Sequence, residues 1–320
     1  MKVGINIFKT QRRTVSNFQI SKLVILVIIS QLAIDSCKSL VKEIDPSILP
    51  QTDSKLVVAC FISPQDTVLS AKVTETKILI GSTGDIRDDI TNASVSLSNG
   101  TKTVPLVYNK SLGYYRALPA QLSILAGKTY FITVSTPDGR KVNASTIVPS
   151  DIAIKEVKID SAKMTDIQRG TAATNTEYTV KVIWLDRAGE ANFYRGISIF
   201  DFLYQLPDPK FAKNTILMPV YSVVDLRTID DKGTDGQLIS LSRTFQPNNI
   251  ANPQGEQKRL NSIKVGLFQT DSNYYYYHTS LRKQRENNNP FAEPVLLFTN
   301  INGGFGCLGA YNATWQEVKL

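Results

Sequence analysis

Histidine is all but missing: His278 stands alone in 320 residues, beside three cysteines (Cys37, Cys60, Cys307) and two tryptophans. Zinc centres built on His and Cys, paired-His metal sites and most catalytic triads need more of both residues than this chain carries. Long apolar runs are missing too. The longest, Leu23 to Ile34, covers twelve residues with Ser30 and Gln31 inside it, whereas a spanning helix needs about 20. Glycine (18) and proline (14) are too ordinary for a collagen-like or low-complexity chain. A surplus of one charge sign is also largely absent. The formal charge is +8, but residues 1–36 hold five basic residues and one acid, so half of it sits there. A remainder so nearly balanced gives no reason to expect nucleic acid as a partner. What is present is a 42% hydrophobic chain, long enough for a sizeable core and about two domains.

The first 22 residues are basic and polar, and the apolar run from Leu23 follows them directly. That order suits a secretory signal. At its end stands Ile34-Asp35-Ser36-Cys37, an aliphatic residue three before Cys and a small one directly before it. This resembles a bacterial lipobox, with Asp35 as an unusual middle residue. We therefore expect a lipoprotein signal peptide over residues 1–36, cleavage ahead of Cys37, and acylation of Cys37 itself. Several acyl chains give lasting attachment, at about 0.8 kcal/mol for each buried methylene. Lys38 rather than Asp follows the cysteine, so retention at an inner membrane is not indicated. Residues 37–53, with Pro46 and Pro50 and no sustained periodicity, read as a tether.

From Leu56 onward short β-rich runs alternate with turn signals. Seven strands are expected before Pro149, with turns at Asn99-Gly100, at Gly113 and at Pro137-Asp138-Gly139. This pitch predicts an immunoglobulin-like β-sandwich over residues 54–149. A boundary is expected at Pro149-Ser150, followed by a second β-rich domain over 150–320. Strands are read there at Ile152–Ile159, Tyr178–Leu185, Asn192–Tyr204, Ile216–Leu226, Gln237–Phe245, Ser262–Phe268, Pro294–Phe298 and Trp315–Leu320. One helix interrupts them near 272–287: Asp271 and Ser272 can cap it, and Tyr274, Tyr277, Leu281 and Gln284 would share a face. Arg282, Lys283 and Arg285 fall in its last turns, where the helix dipole favours cations.

Several constellations invite a chemical reading. Gly304-x-Gly306-x-x-Gly309 fits the dinucleotide fingerprint, but that chemistry needs a following helix and an acid about 20 residues on. Eleven residues follow Gly309, so a glycine turn where backbones approach closely is expected instead. Asp230, Asp231, Asp235 and Gly236 loosely resemble a calcium loop. The twelve-residue pattern wants a closing Glu, and position 241 is Leu. A solvated turn between strands is favoured. His278, behind four tyrosines, reads as a packed helix residue rather than a general base. Cys60 and Cys307 could pair in an oxidising compartment or could each be buried. Nothing calls for a cofactor or a metal.

The order of features along the chain resembles the domain of unknown function 4249 family, predicted outer-membrane lipoproteins of Bacteroidota. The resemblance rests on the lipobox, Lys55-Leu56-Val57-Val58, Gly127-Lys128-Thr129-Tyr130, and Trp184-Leu185-Asp186-Arg187-Ala188-Gly189 leading to Phe193-Tyr194-Arg195. It continues through Asp231 to Gly236, the tyrosine-rich helix, Pro290-Phe291-Ala292-Glu293-Pro294, and Asn300 to Gly306. It implies a lipid-anchored protein of the cell outer membrane, on a face left undecided, often found beside TonB-dependent transporters. It implies no known reaction. The expected function is a non-enzymatic accessory or ligand-binding component of TonB-dependent nutrient uptake. The contact points expected for a partner are Asp230, Asp231, Asp235 and Gly236 on the acidic turn, and Gly303, Gly304, Gly306 and Gly309 on the glycine loop. A carboxylate-dependent glycan-degrading surface enzyme and a structural or adhesive lipoprotein stay open as alternatives.

Overall fold

Leu56, Val58, Cys60 and Ile62 are buried along β1 (Leu56–Ile62), while the residues between them are half-open, the period-2 pattern of a strand with one face on a core. The structure, a computed structural model, describes residues 53–76, 89–168, 171–207, 215–246, 258–287, 293 and 295–319, all of which belong to one compact unit. Cys37, the signal peptide expected over residues 1–36 and all of the expected tether but Asp53 lie outside the described residues. The protein is mainly β, with one α-helix among the described residues.

From β1 the ladder passes to β2 (Leu69–Glu75) and, beyond it, to β5 (Tyr114–Ala117). A second group pairs β3 (Ser94–Ser98) with β6 (Thr129–Ser135), and β6 with β7 (Lys141–Ile147). Between them β4 (Thr103–Asn109) pairs with β3 through Thr103–Leu106 and with β5 through Val107–Asn109. Inward residues of both groups, among them Val58, Leu69, Leu97, Ile132 and Val142, share one core. This is the β-sandwich that the strand pitch predicts. Asn99-Gly100 makes its hairpin as expected. Gly100 takes φ +89, and Asn99 Oδ1 accepts from the Thr101 and Lys102 amides at 3.1 and 2.8 Å. Tyr130 donates its hydroxyl to the Ser123 carbonyl and accepts from the Leu125 amide, both at 2.8 Å. Immunoglobulin-like sandwiches use a similar tyrosine corner.

A second core lies beyond Pro149. The strands β8 (Ile154–Gln168), β9 (Thr171–Leu185) and β12 (Leu238–Phe245) form a three-stranded sheet in the order β12-β9-β8. Four more strands, β10 (Phe193–Pro207), β11 (Thr215–Asp230), β13 (Lys258–Thr270) and β14 (Phe305–Lys319), continue the larger sheet in the order β11-β10-β13-β14-β1. Trp184, Phe200, Leu226, Leu241 and Val265 pack together between the two sheets. Several of these strands outrun the sequence pattern. Ile152–Ile159 is read from alternation, yet β8 runs to Gln168. Ser161, Ala162 and Lys163 are exposed there and are held by ladder pairing with β9 rather than by burial.

β14 belongs to both halves. Its residues Phe305–Ala310 pair in parallel with β1, and Tyr311–Lys319 pair antiparallel with β13. Ile301, Leu308 and Ala310 accordingly sit in the first core. The glycine segment expected as a loop is therefore largely strand from Phe305 on. The cause is the closeness of β1: a Cβ on Gly306 would lie 2.0 Å from the Val58 carbonyl oxygen, and one on Gly304 2.5 Å from that of Leu56. Only glycine fits such an approach, and Gly306 also takes φ +105.

The helix α1 (Ser272–Glu286) starts where its cap predicts. Asp271 Oδ1 accepts from the Tyr274 amide at 2.9 Å and from the Ala310 amide at 3.0 Å, while Oδ2 accepts from the Thr146 hydroxyl. One carboxylate thus joins α1, β14 and β7. The tyrosines grip two neighbours rather than one. Tyr274 and Tyr277 meet Phe61 at ring distances of 5.4 and 5.8 Å, and Tyr275 and Tyr276 meet Phe193 at 4.7 and 5.8 Å. The strand expected at Pro294–Phe298 is not formed by its described residues 295–298. Leu296 is 90% exposed, and the Phe298 amide donates to Ser280 Oγ at 3.1 Å, so this segment follows the helix instead of a strand.

Cys60 and Cys307 are free and buried. Their register explains this: Cys307 stands opposite Ala59, and Cys60 opposite Leu308. Neighbouring positions on a strand face opposite ways, so the two thiols point to different sides of the sheet. Burial pushes the Cys60 thiol up to about 12 and the Cys307 thiol further still.

Candidate functional site

Two features gather charged side chains. The first is the acidic turn anticipated from Asp230 to Gly236. It faces the turn at Asp186-Arg187-Ala188-Gly189, and Asp186, Asp231 and Asp235 bring carboxylate oxygens within 4.8 Å of one another. Asp186 accepts from the Tyr194 hydroxyl at 2.5 Å and the Gly236 amide at 2.8 Å. Asp231 accepts from the Asn192 amide at 2.9 Å, and Asp235 from the Gly189 amide at 2.9 Å. The three could each offer an oxygen to a cation, but the geometry already accounts for them as ties between two turns. Asp230 stands apart and accepts from the Tyr275 hydroxyl at 3.2 Å. In the other anticipated segment Gly303 is open, Gly304 half-open, and Gly306 and Gly309 are buried. A Cβ on Gly309 would lie 3.1 Å from Tyr274 Cα, so this glycine lets α1 settle on β14.

The second feature was not anticipated. A cleft of about 730 Å³ opens between α1, β10, β11 and β12, and Arg195, Arg227, Arg243, Arg282 and Arg285 line it. Asp225 and Glu286 are the acids on its wall, so the lining carries a formal +3. Residues 37–320 carry a formal +4 in all, and the lining of this cleft alone carries +3.

Each arginine has a local reason to be there. On α1, His278, Arg282 and Arg285 follow one another at helical spacing, which brings them to one stripe. On β11, Asp225 and Arg227 both line the cleft, with buried Leu226 between them. The ladder to β10 slips between them: Ile197 pairs with Asp225 and Gly196 with Arg227, leaving Leu226 as the extra residue of a bulge. Leu226 fills the space above Gly196, where an added Cβ would stand 3.0 Å away. Arg227 bears the conformational cost with φ +147, the one positive φ at a non-glycine residue among those described. Arg243 comes from β12 and donates to the Asp225 carbonyl at 2.9 Å.

Only part of this charge is engaged internally. Arg195 donates to Asp225 Oδ2 at 3.1 Å and to the Tyr274 hydroxyl at 2.5 Å, and its guanidinium lies over the Tyr274 ring at 5.9 Å. Arg227, Arg282 and Arg285 have no hydrogen bond or ion pair among the described residues. Each of these three guanidinium groups carries five donors in a planar fork. His278 faces the same cleft, its ring 4.2 Å from that of Tyr274 and 5.1 Å from that of Phe61. Burial, with Arg195 nearby, pushes its pKa down to about 4, and its Nε2 has no partner. It is neutral at physiological pH and a weak base.

A family model described as Domain of unknown function (DUF4249) matches residues 41–317 of the chain. No curated protein matches it. Among the described residues no helix is long and apolar enough to cross a membrane.

Proposed function

The chain belongs to the domain of unknown function 4249 family, and on that premise we propose that it is a ligand-binding, non-enzymatic accessory of TonB-dependent nutrient uptake. In this reading acylated Cys37 holds it at the outer membrane. The observation that carries the proposal is the arginine-lined cleft. At about 730 Å³ it has the size of small-ligand sites, with convergent polar groups on its walls. Asp186 and Asp231 are buried and hydrogen-bonded to the backbone or to Tyr194, and His278 is too weak a base at neutral pH. Anchoring adds to the case for binding, since lipid raises the effective concentration of the cleft beside any partner in the same membrane.

Crosslinking in living cells, followed by purification through a C-terminal tag in mild detergent, tests the reading. A TonB-dependent transporter should be recovered in stoichiometric amount. Recovery of the protein alone would remove the accessory role.

A further inference from the structure

We propose that the cleft between α1 and the bulge of β11 binds a small organic ligand through a multiply charged oxyanion, a phosphoryl or polycarboxylate group. The inference deepens the ligand-binding reading above by naming the ligand's chemistry. Arginine is the residue suited to this task, because its fork matches carboxylate and phosphate oxygens two at a time. Five arginines converge here from four separate elements against two acids. Asp225 is committed to Arg195 on its carboxylate and to Arg243 on its carbonyl, so it orients two of the cations. Arg227, Arg282 and Arg285 have no hydrogen bond or ion pair among the described residues. Like charges held this close repel one another, and an oxyanion seated among them relieves that repulsion.

Arg227 supplies an independent observation. Its φ of +147 is a conformation that side-chain-bearing residues avoid. Glycine would hold the same bulge without strain, yet an arginine stands there, exposed and on the cleft wall. Bulges commonly re-aim a side chain beside a site. The cleft is also far larger than a bare anion, so the charged group is one end of the ligand. Ser240 and Ser242 are exposed on the same space and offer the other end hydroxyl hydrogen bonds.

Titration calorimetry on the full chain in mild detergent, with inorganic pyrophosphate and with citrate as probes, tests this directly. We expect saturable binding of at least one probe, weakened by added salt. The double variant R227G/R285Q should lose at least about tenfold in affinity, the usual weight of a charge-assisted hydrogen bond. Its melting temperature should not fall, because Arg285 is exposed and Gly relieves the strain at 227. No binding of either probe at millimolar concentration, or equal binding by the double variant, would overturn the proposal. Anion binding without a recovered transporter would remove the uptake role alone. A recovered transporter without anion binding would remove this inference alone.

Discussion

Asp66 and His278 carry the stability of the fold in opposite directions over one stretch of pH. Burial raises the Asp66 carboxyl to about 6, although the Ser63 amide and the Tyr311 hydroxyl both hydrogen-bond to it. The native state therefore holds this proton more firmly than the unfolded chain, whose aspartates release theirs near 4. The resulting stabilisation is complete below about pH 4 and is lost as the pH rises through about 6. His278 does the reverse, with its pKa lowered from 6.5 to about 4. Its contribution is complete above about 6.5 and is lost as the pH falls through about 4. We predict that Asp66→Asn makes the unfolding free energy rise more steeply from pH 4 to 6 than in wild type. His278→Gln should make it rise less steeply across the same window. Denaturant titrations at three pH values would check this. Parallel profiles for wild type and both variants would refute it.

At the scale of elements, β14 is the strand on which the architecture turns. It supplies the parallel neighbour of β1 and places Leu308 and Ala310 in the first core. A fragment of residues 54–149 keeps the alternating strands but leaves β1 an open edge. Adding a peptide of residues 303–313 should raise the melting temperature of that fragment by several degrees, since about 1 kcal/mol shifts a domain of this size by about 4–8 °C. An unchanged melting curve at saturating peptide would show that β1 does not need this partner. How legible such features were in the sequence depends on whether their cause is local. Asp271 announces α1 because a cap acts within one turn, and Asn99-Gly100 announces its hairpin for the same reason. The run Val295–Phe298 misleads, because an apolar run says nothing about which element it will lie against. The outer half of β8 escapes notice because ladder hydrogen bonds, unlike burial, leave no apolar period. The arginine cleft is the extreme case. Arg282 and Arg285 are visible as a helix terminus, but Arg195, Arg227 and Arg243 join them only through the sheet. The pairing of the turn at Asp186 with Asp231 and Asp235 is equally non-local.

At the scale of the whole molecule, a charge that looks negligible when summed is concentrated where it can act. Residues 37–320 carry a formal +4 and the cleft lining +3, so the field that a ligand meets there is far stronger than the total suggests. A scaffold of two β cores stapled by one shared strand carries that cleft, and in the proposed reading the binding belongs to a protein fixed at a membrane. The uptake role in that reading depends on the anchor at Cys37. Metabolic labelling with radioactive palmitate, comparing wild type with Cys37→Ala, tests this most directly. The wild-type protein should be labelled and found in the outer-membrane fraction, and the variant should be unlabelled and released from it. A Cys37→Ala protein that still takes up label, or a wild-type protein that takes up none, would contradict the account.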